Sequence, residues 1–500
     1  MTKALRKESQ SASRFAYHLS LLKLESPSDG PEDAALAPVF TGAVLAQSAS
    51  QLSQYGLLAG VKKFGGPDAP VPEDQIMQED PRLFFNVSAP SSTFICGSQG
   101  SGKSHTLSCI LEGCLIPSQA GALQKPLTAV VFHYDTFIGD YGGSPCEAAF
   151  LASHSGVNVR VLCAPTNLRN IQATYNRFNI RVEPLHLDQE HLNTKRMLDL
   201  MASGQGSGPN PLYIHTVQRI LREMRLLQQS SGARFDYQDF RKRVFGSDLL
   251  PGQLEPLKQR LDIIESFMPS QQVTSTKCKK GRQVPPKGVG SSWTPKSSQL
   301  TIVDLSCPCI SPDTACALFN LCFQLFIEQD TKVGRVVALD EAHKFMKDSA
   351  EARSFTDTLL STVRLQRHLG ARILISTQEP TISSDLLSLC SVSIVHRFTS
   401  PAWFRTLEGH VAAAALGLQS GDRAPPNDDQ CRELSHVSRR LSLFNEIVDL
   451  RVGEALLFSP SAVLCTGPLE GTLKRLGSGY MKIKVRNRLT EDGGRSILSC

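Results

Sequence analysis

The run Gly97-Ser98-Gln99-Gly100-Ser101-Gly102-Lys103-Ser104 follows directly on the apolar stretch Thr93-Phe94-Ile95-Cys96. It fills every fixed position of the phosphate-loop pattern G-x-x-x-x-G-K-[ST]. The glycines let successive backbone N–H groups turn inward on a polyphosphate. In such a loop Lys103 reaches the β- and γ-phosphates and the Ser104 hydroxyl faces Mg²⁺. From His105 the residues Thr-Leu-Ser-Cys-Ile-Leu-Glu read as a helix whose N-terminus faces the anion. A strand before the loop and a helix after it separate this reading from an ordinary Gly/Ser-rich turn. ATP and Mg²⁺ are therefore the expected ligands, with residues 97–104 as the ATP-binding segment.

Short apolar runs then alternate with helical stretches. Strands are expected at Ser92–Cys96, 128–134, 157–163, 300–305, Arg335–Leu339 and Ala371–Thr377. Helices are expected at 105–115, 316–328, 352–369 and 383–390. This alternation predicts an α/β fold, a P-loop NTPase core with a mainly parallel sheet and helices on both faces. Residues 1–80, with Ser, Pro, Gly and Asp clusters, read as a weakly patterned, partly disordered leader with a candidate helix at 16–24. The core's first part is expected at 81–184 and its second at 299–488, followed by a tail at 489–500. Between them, 185–298 reads as an all-α insertion, with Val217, Ile220, Leu221, Met224 and Leu227 near helical spacing. It ends in a basic flexible loop carrying Lys277, Lys279, Lys280, Arg282, Lys287 and Lys296 without an acid. Such a loop is either solvated or a contact for a polyanion.

Bulk properties narrow the classes. No apolar run is long enough to cross a bilayer, so a membrane-spanning chain is not expected. The net charge of +6 permits a polyanionic partner without requiring one. Many of the 14 cysteines, such as Cys96, Cys163, Cys322 and Cys465, sit inside apolar runs. That pattern suits free thiols in an intracellular, reducing compartment, cytoplasm or nucleus. Cys307-Pro308-Cys309 lacks a second Cys or His pair at zinc spacing.

The segment Arg335-Val-Val-Ala-Leu-Asp340-Glu341 is a buried-strand pattern ending in two acids. An α/β sheet presents its chemistry at the carboxyl ends of its strands. Asp340 is placed to hold Mg²⁺, and Glu341 to act as general base on the attacking water. A further strand ends in Gln378, whose amide can bond both the γ-phosphate and the lytic water. Asp340-Glu341-Ala342-His343 also spells the box of an RNA-helicase class. Its 237-residue separation from Lys103 and the missing Ser-Ala-Thr box set that reading aside.

Taken in order, these segments resemble the HerA–FtsK-type P-loop ATPases, the class with an additional strand and a catalytic glutamate. The resemblance runs through 97–104, 300–306, 336–345, Arg367-His-Leu-Gly370 and Ile375-Ser-Thr-Gln-Glu-Pro380. It closes with Ile394-Val-His-Arg397 and Val452-Gly453-Glu454-Ala455. It implies Lys103 and Ser104 on phosphate and metal, Asp340 on metal, and Glu341 and Gln378 in catalysis. It further implies Arg367 as a charge-stabilising arginine near the γ-phosphate, and Asp135 as an acid at a strand end. A hexameric motor hydrolysing ATP on double-stranded DNA is what the likeness suggests. The alternative is a non-motor switch or adaptor that binds ATP and changes its protein contacts.

Overall fold

The apolar runs are assembled edge to edge. The computed structural model describes residues 31–66, 80–136, 143–202, 212–273, 290–329, 332–379, 382–409, 440–466 and 473–493. In chain order the strands begin with β1 (Val39–Thr41), β2 (Tyr55–Gly65), β3 (Arg82–Asn86), β4 (Ser92–Cys96) and β5 (Gly121–Ala122). They continue with β6 (Thr128–His133), β7 (Asn158–Cys163), β8 (Arg181–Pro184), β9 (Gln299–Asp304), β10 (Arg335–Leu339) and β11 (Ala371–Thr377). The last are β12 (Val392–Val395), β13 (Glu454–Phe458), β14 (Val463–Thr466), β15 (Leu473–Arg475) and β16 (Tyr480–Val485).

All belong to one 16-stranded mixed sheet. Its parallel half runs β8-β7-β9-β6-β10-β11-β4-β12. From β12 the sheet continues antiparallel through β13, β16, β2, β3 and β1. Every residue of β4, β6, β9, β10 and β11 is buried, the mark of strands covered on both faces. Register sets Cys96 opposite Thr377, and Leu339 opposite both Phe132 and Ile375. The carboxyl ends of β4, β6, β10 and β11 therefore share one edge, where the site lies.

Helices cover both faces. The loop after β4 leads into α1 (Lys103–Leu115), on one face with Ile171 and Tyr175. The other face receives the insertion helices α2 (Thr194–Ala202), α3 (Leu212–Ser231), α4 (Tyr237–Phe245) and α5 (Pro251–Ser266). With them pack α6 (Pro312–Ile327) and α7 (Ala350–Arg364), each started by a serine hydroxyl that accepts a backbone N–H, Ser311 and Ser349. In α3 the residues Val217, Ile220, Leu221 and Met224 are buried as their spacing predicts, whereas Leu227 is exposed.

Three expectations need correction. Residues 31–66 are not a loose leader: β1 and β2 pair within the sheet and bury Val39, Phe40, Leu58 and Phe64. The glycines of β2 dilute its strand pattern, yet one has a packing reason, because a Cβ on Gly56 would stand 3.0 Å from Gly113 Cα of α1. Residues 489–493 are not a free tail, since Leu489 and Thr490 bond the α1 carboxylate Glu112. The helix expected at 352–369 ends at Arg364, and a short turn Gln366–Leu369 follows, stopped by Gly370 at φ +58°. The candidate helix at 16–24 and most of the basic loop, 274–289, lie outside the described residues.

Candidate active site

The loop after β4 is shaped by three glycines at positive φ: Gly97 (+152°), Gly100 (+72°) and Gly102 (+113°). A side chain is excluded on both flanks. A Cβ on Gly97 would meet His396 Cβ at 2.6 Å, and one on Gly102 would meet Gly453 Cα at 3.2 Å. The loop is also pinned from outside. Ser98 donates to the Arg397 carbonyl through its N–H (2.8 Å) and its hydroxyl (2.9 Å). The Ser101 hydroxyl donates to the Ser98 carbonyl at 2.7 Å, and Gly453 N–H donates to the Ser101 carbonyl at 3.2 Å. Gln99 and Gly100 are left exposed at the crest, and Ser104 is half-buried at the start of α1.

Behind the loop sits the fully buried imidazole of His396. Its Nδ1 is 2.9 Å from the Glu454 carbonyl and its Nε2 is 2.9 Å from the Thr106 hydroxyl. A carbonyl only accepts, so Nδ1 carries the proton and the Thr106 hydroxyl donates to Nε2. Burial pushes this imidazole down to about 4. Glu112, in the third turn of α1, is equally enclosed. It accepts from Arg486 Nη1 (2.8 Å), Leu489 N–H (3.0 Å), Thr490 N–H (3.0 Å) and the Thr490 hydroxyl (2.6 Å). Burial alone would raise its carboxyl, but these donors outweigh it and hold the group below its ordinary value.

Opposite the loop, β10 delivers the two acids. Asp340 is buried, and its Oδ2 lies 3.3 Å from His133 Nδ1 and 3.8 Å from Cys146 Sγ. Asp340 Oδ1 is buried without a partner among the described residues. Glu341 adopts the left-handed region at φ +48°, a conformation that costs a non-glycine residue about 1–3 kcal/mol and swings its carboxylate back over the loop. Glu341 Oε1 accepts from Gln378 Nε2 at 3.2 Å and stands 4.0 Å from Lys103 Nζ. Its Oε2 is 3.3 Å from His343 Nδ1, which in turn accepts the Gln378 N–H at 3.4 Å. Burial lowers Lys103, partly offset by Glu341 and Asp340; it also lowers His343 against the pull of Glu341 and Glu379.

The fold thus brings together residues 97–104, Asp340, Glu341 and Gln378. It does not bring Arg367. That residue is exposed on the turn before β11, at the amino ends of the strands. The seven residues of β11 separate it from the loop, about 20 Å of strand. Within one chain it cannot meet a γ-phosphate. Asp135, just past β6, is engaged by Lys344 Nζ at 3.2 Å. An oxygen-only donor set suits Mg²⁺, and the unpartnered Asp340 Oδ1 with the Ser104 hydroxyl fits that ion. Sequence reasoning missed His343, His396, Glu112 and the His133–Cys146 pair. His343 had a signal in the letters after Glu341; the others depend on strand register and on partners far away in the chain.

No family model matches this sequence, and no curated protein does. Its structural neighbours include VirB4 of Thermoanaerobacter pseudethanolicus, at 9% identity and TM-score 0.46 over 86% of this chain and 97% of that one. They also include the bacterial conjugative coupling protein TrwB, at 14% identity and TM-score 0.44 over 81% and 87%. A third is the genome-packaging NTPase B204 of Sulfolobus turreted icosahedral virus 2, at 13% identity and TM-score 0.21 over 32% and 61%.

Proposed function

We propose that this chain is a Mg²⁺-dependent ATPase of the HerA–FtsK type, working as an oligomeric motor on double-stranded DNA. One observation carries the hydrolytic half of the reading: Lys103, Glu341 and Gln378 converge at the mouth of the glycine loop. Loop N–H groups and Lys103 would hold the β- and γ-phosphates. Mg²⁺, held by Ser104 and Asp340, would spread the charge of those phosphates. Glu341 accepts a proton from water as the water oxygen bonds the γ-phosphorus and the bond to ADP breaks, its electron pair leaving with ADP. Because Gln378 Nε2 is committed to Glu341, its carbonyl oxygen is left to accept the water's other proton.

The duplex substrate and the hexamer come from the resemblance of the motifs, since fold alone does not name a cargo. Buried free thiols such as Cys96, Cys114 and Cys322 support a reducing compartment, cytoplasm or nucleus. Among the described residues no helix is long and apolar enough to span a bilayer. A second reading, a nucleotide-dependent switch, is favoured by the position of Arg367, because one chain alone lacks that cation at the γ-phosphate. Native mass with and without Mg²⁺-ATP separates the two, together with ATP turnover with and without duplex DNA. A ring near six times 54.6 kDa whose turnover rises with DNA supports the motor. A persistent monomer indifferent to DNA leaves the switch.

A further inference from the structure

Beside the proposed hydrolytic groups lies a second constellation, which shares Asp340 with the Mg²⁺ site and adds two side chains that the nucleotide chemistry does not use. His133 at the end of β6, Cys146 ahead of the turn Glu147–Ser153, and Asp340 at the end of β10 are all buried, with ligand atoms within 4.8 Å of one another. The separations are 3.3 Å from His133 Nδ1 to Asp340 Oδ2 and 3.8 Å from Cys146 Sγ to the same oxygen. Ligands on one tetrahedral zinc ion stand about 3.3 Å apart for N and O, and about 3.5 Å apart for S and O, given ordinary Zn–ligand lengths. The cluster therefore has nearly the spacing of a metal's coordination shell before any metal arrives.

Its members are held in place. The Cys146 N–H donates to the Tyr175 hydroxyl at 3.0 Å, and that hydroxyl donates to Asp304 at 2.7 Å. Asp340 N–H donates to the Phe132 carbonyl at 3.0 Å, tying the acid to the strand that carries His133. Asp340 Oδ1 is buried with no partner among the described residues. A thiolate, a neutral imidazole and a carboxylate carry two negative charges together, the complement of a divalent ion. Nitrogen and sulfur donors select a borderline-soft ion over Mg²⁺.

We propose that His133, Cys146 and Asp340 form an inhibitory site for a transition-metal dication such as Zn²⁺, whose charge on the shared Asp340 carboxylate weakens its hold on Mg²⁺ and stops hydrolysis. On binding, Cys146 Sγ and His133 Nδ1 give up protons to solvent and each forms a bond to the ion, with Asp340 Oδ2 as the third ligand. The site itself rests on the cluster's geometry. Its inhibitory effect rests on the ATPase reading above.

Two measurements on the full chain test it. Co²⁺ is titrated into chelator-treated, nucleotide-free protein while thiolate-to-cobalt absorption is followed in the near ultraviolet. Wild type should show a band saturating at equimolar Co²⁺ that is lost in Cys146→Ser and again in Cys146→Ala, with melting curves showing which variants are folded. An unchanged band in a folded variant assigns the cobalt to other thiols and overturns the site. Equimolar Zn²⁺ should then lower Mg²⁺-ATP turnover about tenfold or more in wild type, while Cys146→Ser keeps its zinc-free rate and resists zinc. Equal inhibition of both proteins overturns the brake. If neither protein hydrolyses ATP without zinc, the ATPase reading fails, and the cobalt titration still decides whether the metal site exists.

Discussion

Acid should loosen the phosphate loop through one imidazole, His396. The ring is fully buried, wedged between Gly97 and the Thr106 turn of α1, and its neutral form satisfies both neighbours. Protonation would bury a positive charge there, with Nε2 turned into a donor to the Thr106 hydroxyl and that hydroxyl's own proton left for the Gly102 carbonyl at 3.1 Å. Burial lowers the folded-state value from 6.5 to about 4, so the unfolded chain takes up the proton first as pH falls. The stabilisation is complete above pH 6.5, declines between 6.5 and 4, and is gone below that. At 1.36 kcal/mol per unit, the full loss is about 3 kcal/mol. Urea unfolding of wild type and His396→Gln across this window isolates the effect, because other titrating groups are common to both proteins. The stability gap between them should shrink by up to about 3 kcal/mol on going from pH 7.5 to 4. Parallel curves, or an imidazole resonance titrating near 6.5 by NMR, would refute the argument.

Glu341→Gln should retain ATP-analogue binding and lose about 10²- to 10⁴-fold in turnover; a rate within about threefold of wild type would remove Glu341 as the base. Arg367→Ala should depress turnover more than affinity, and mixing it with Lys103→Ala protein should restore activity if Arg367 serves a neighbouring copy. No recovery in mixed oligomers would count against that role. Glu112→Ala should cost about 3–5 kcal/mol, because it leaves Arg486 buried without its carboxylate while Arg488 keeps Glu147 at 2.6 Å, read by denaturant midpoint. Removing Lys277, Lys279, Lys280 and Arg282 together should flatten the salt dependence of duplex binding by about 0.9 log unit per lost phosphate contact. An unchanged slope would make that loop a bystander.

The groups legible from sequence were those whose chemistry is local in the chain. Residues 97–104 carry loop, strand and helix in one stretch, and Asp340, Glu341 and Gln378 each end an apolar run that could only be a buried strand. What was hidden depends on pairing. His133 reaches Asp340 because β6 and β10 lie side by side with Phe132 opposite Leu339, a register no single segment reveals. His396 supports the loop because β12 pairs with β4, ending with Val395 opposite Cys96. The strand β2 escaped notice because its glycines dilute the strand pattern, and one of them, Gly56, serves close approach to α1 rather than strand propensity. Arg367 was misplaced for the opposite reason. Its motif is local and recognisable, but which end of the sheet it occupies is set by the direction of the strand that follows.

The clasp on Glu112 has a consequence for how the molecule comes into being. Its carboxylate sits in the helix that follows the nucleotide loop, yet the arginine that neutralises it stands 374 positions later. At ordinary elongation rates that interval is on the order of 20–70 s. Throughout it the emerging polypeptide carries a half-built clasp whose acidic residue must stay hydrated. The clasp is therefore a late event in the life of each molecule. A ribosome-stalled chain cut before residue 486 would display the whole glycine loop and still lack the arginine that secures the helix behind it.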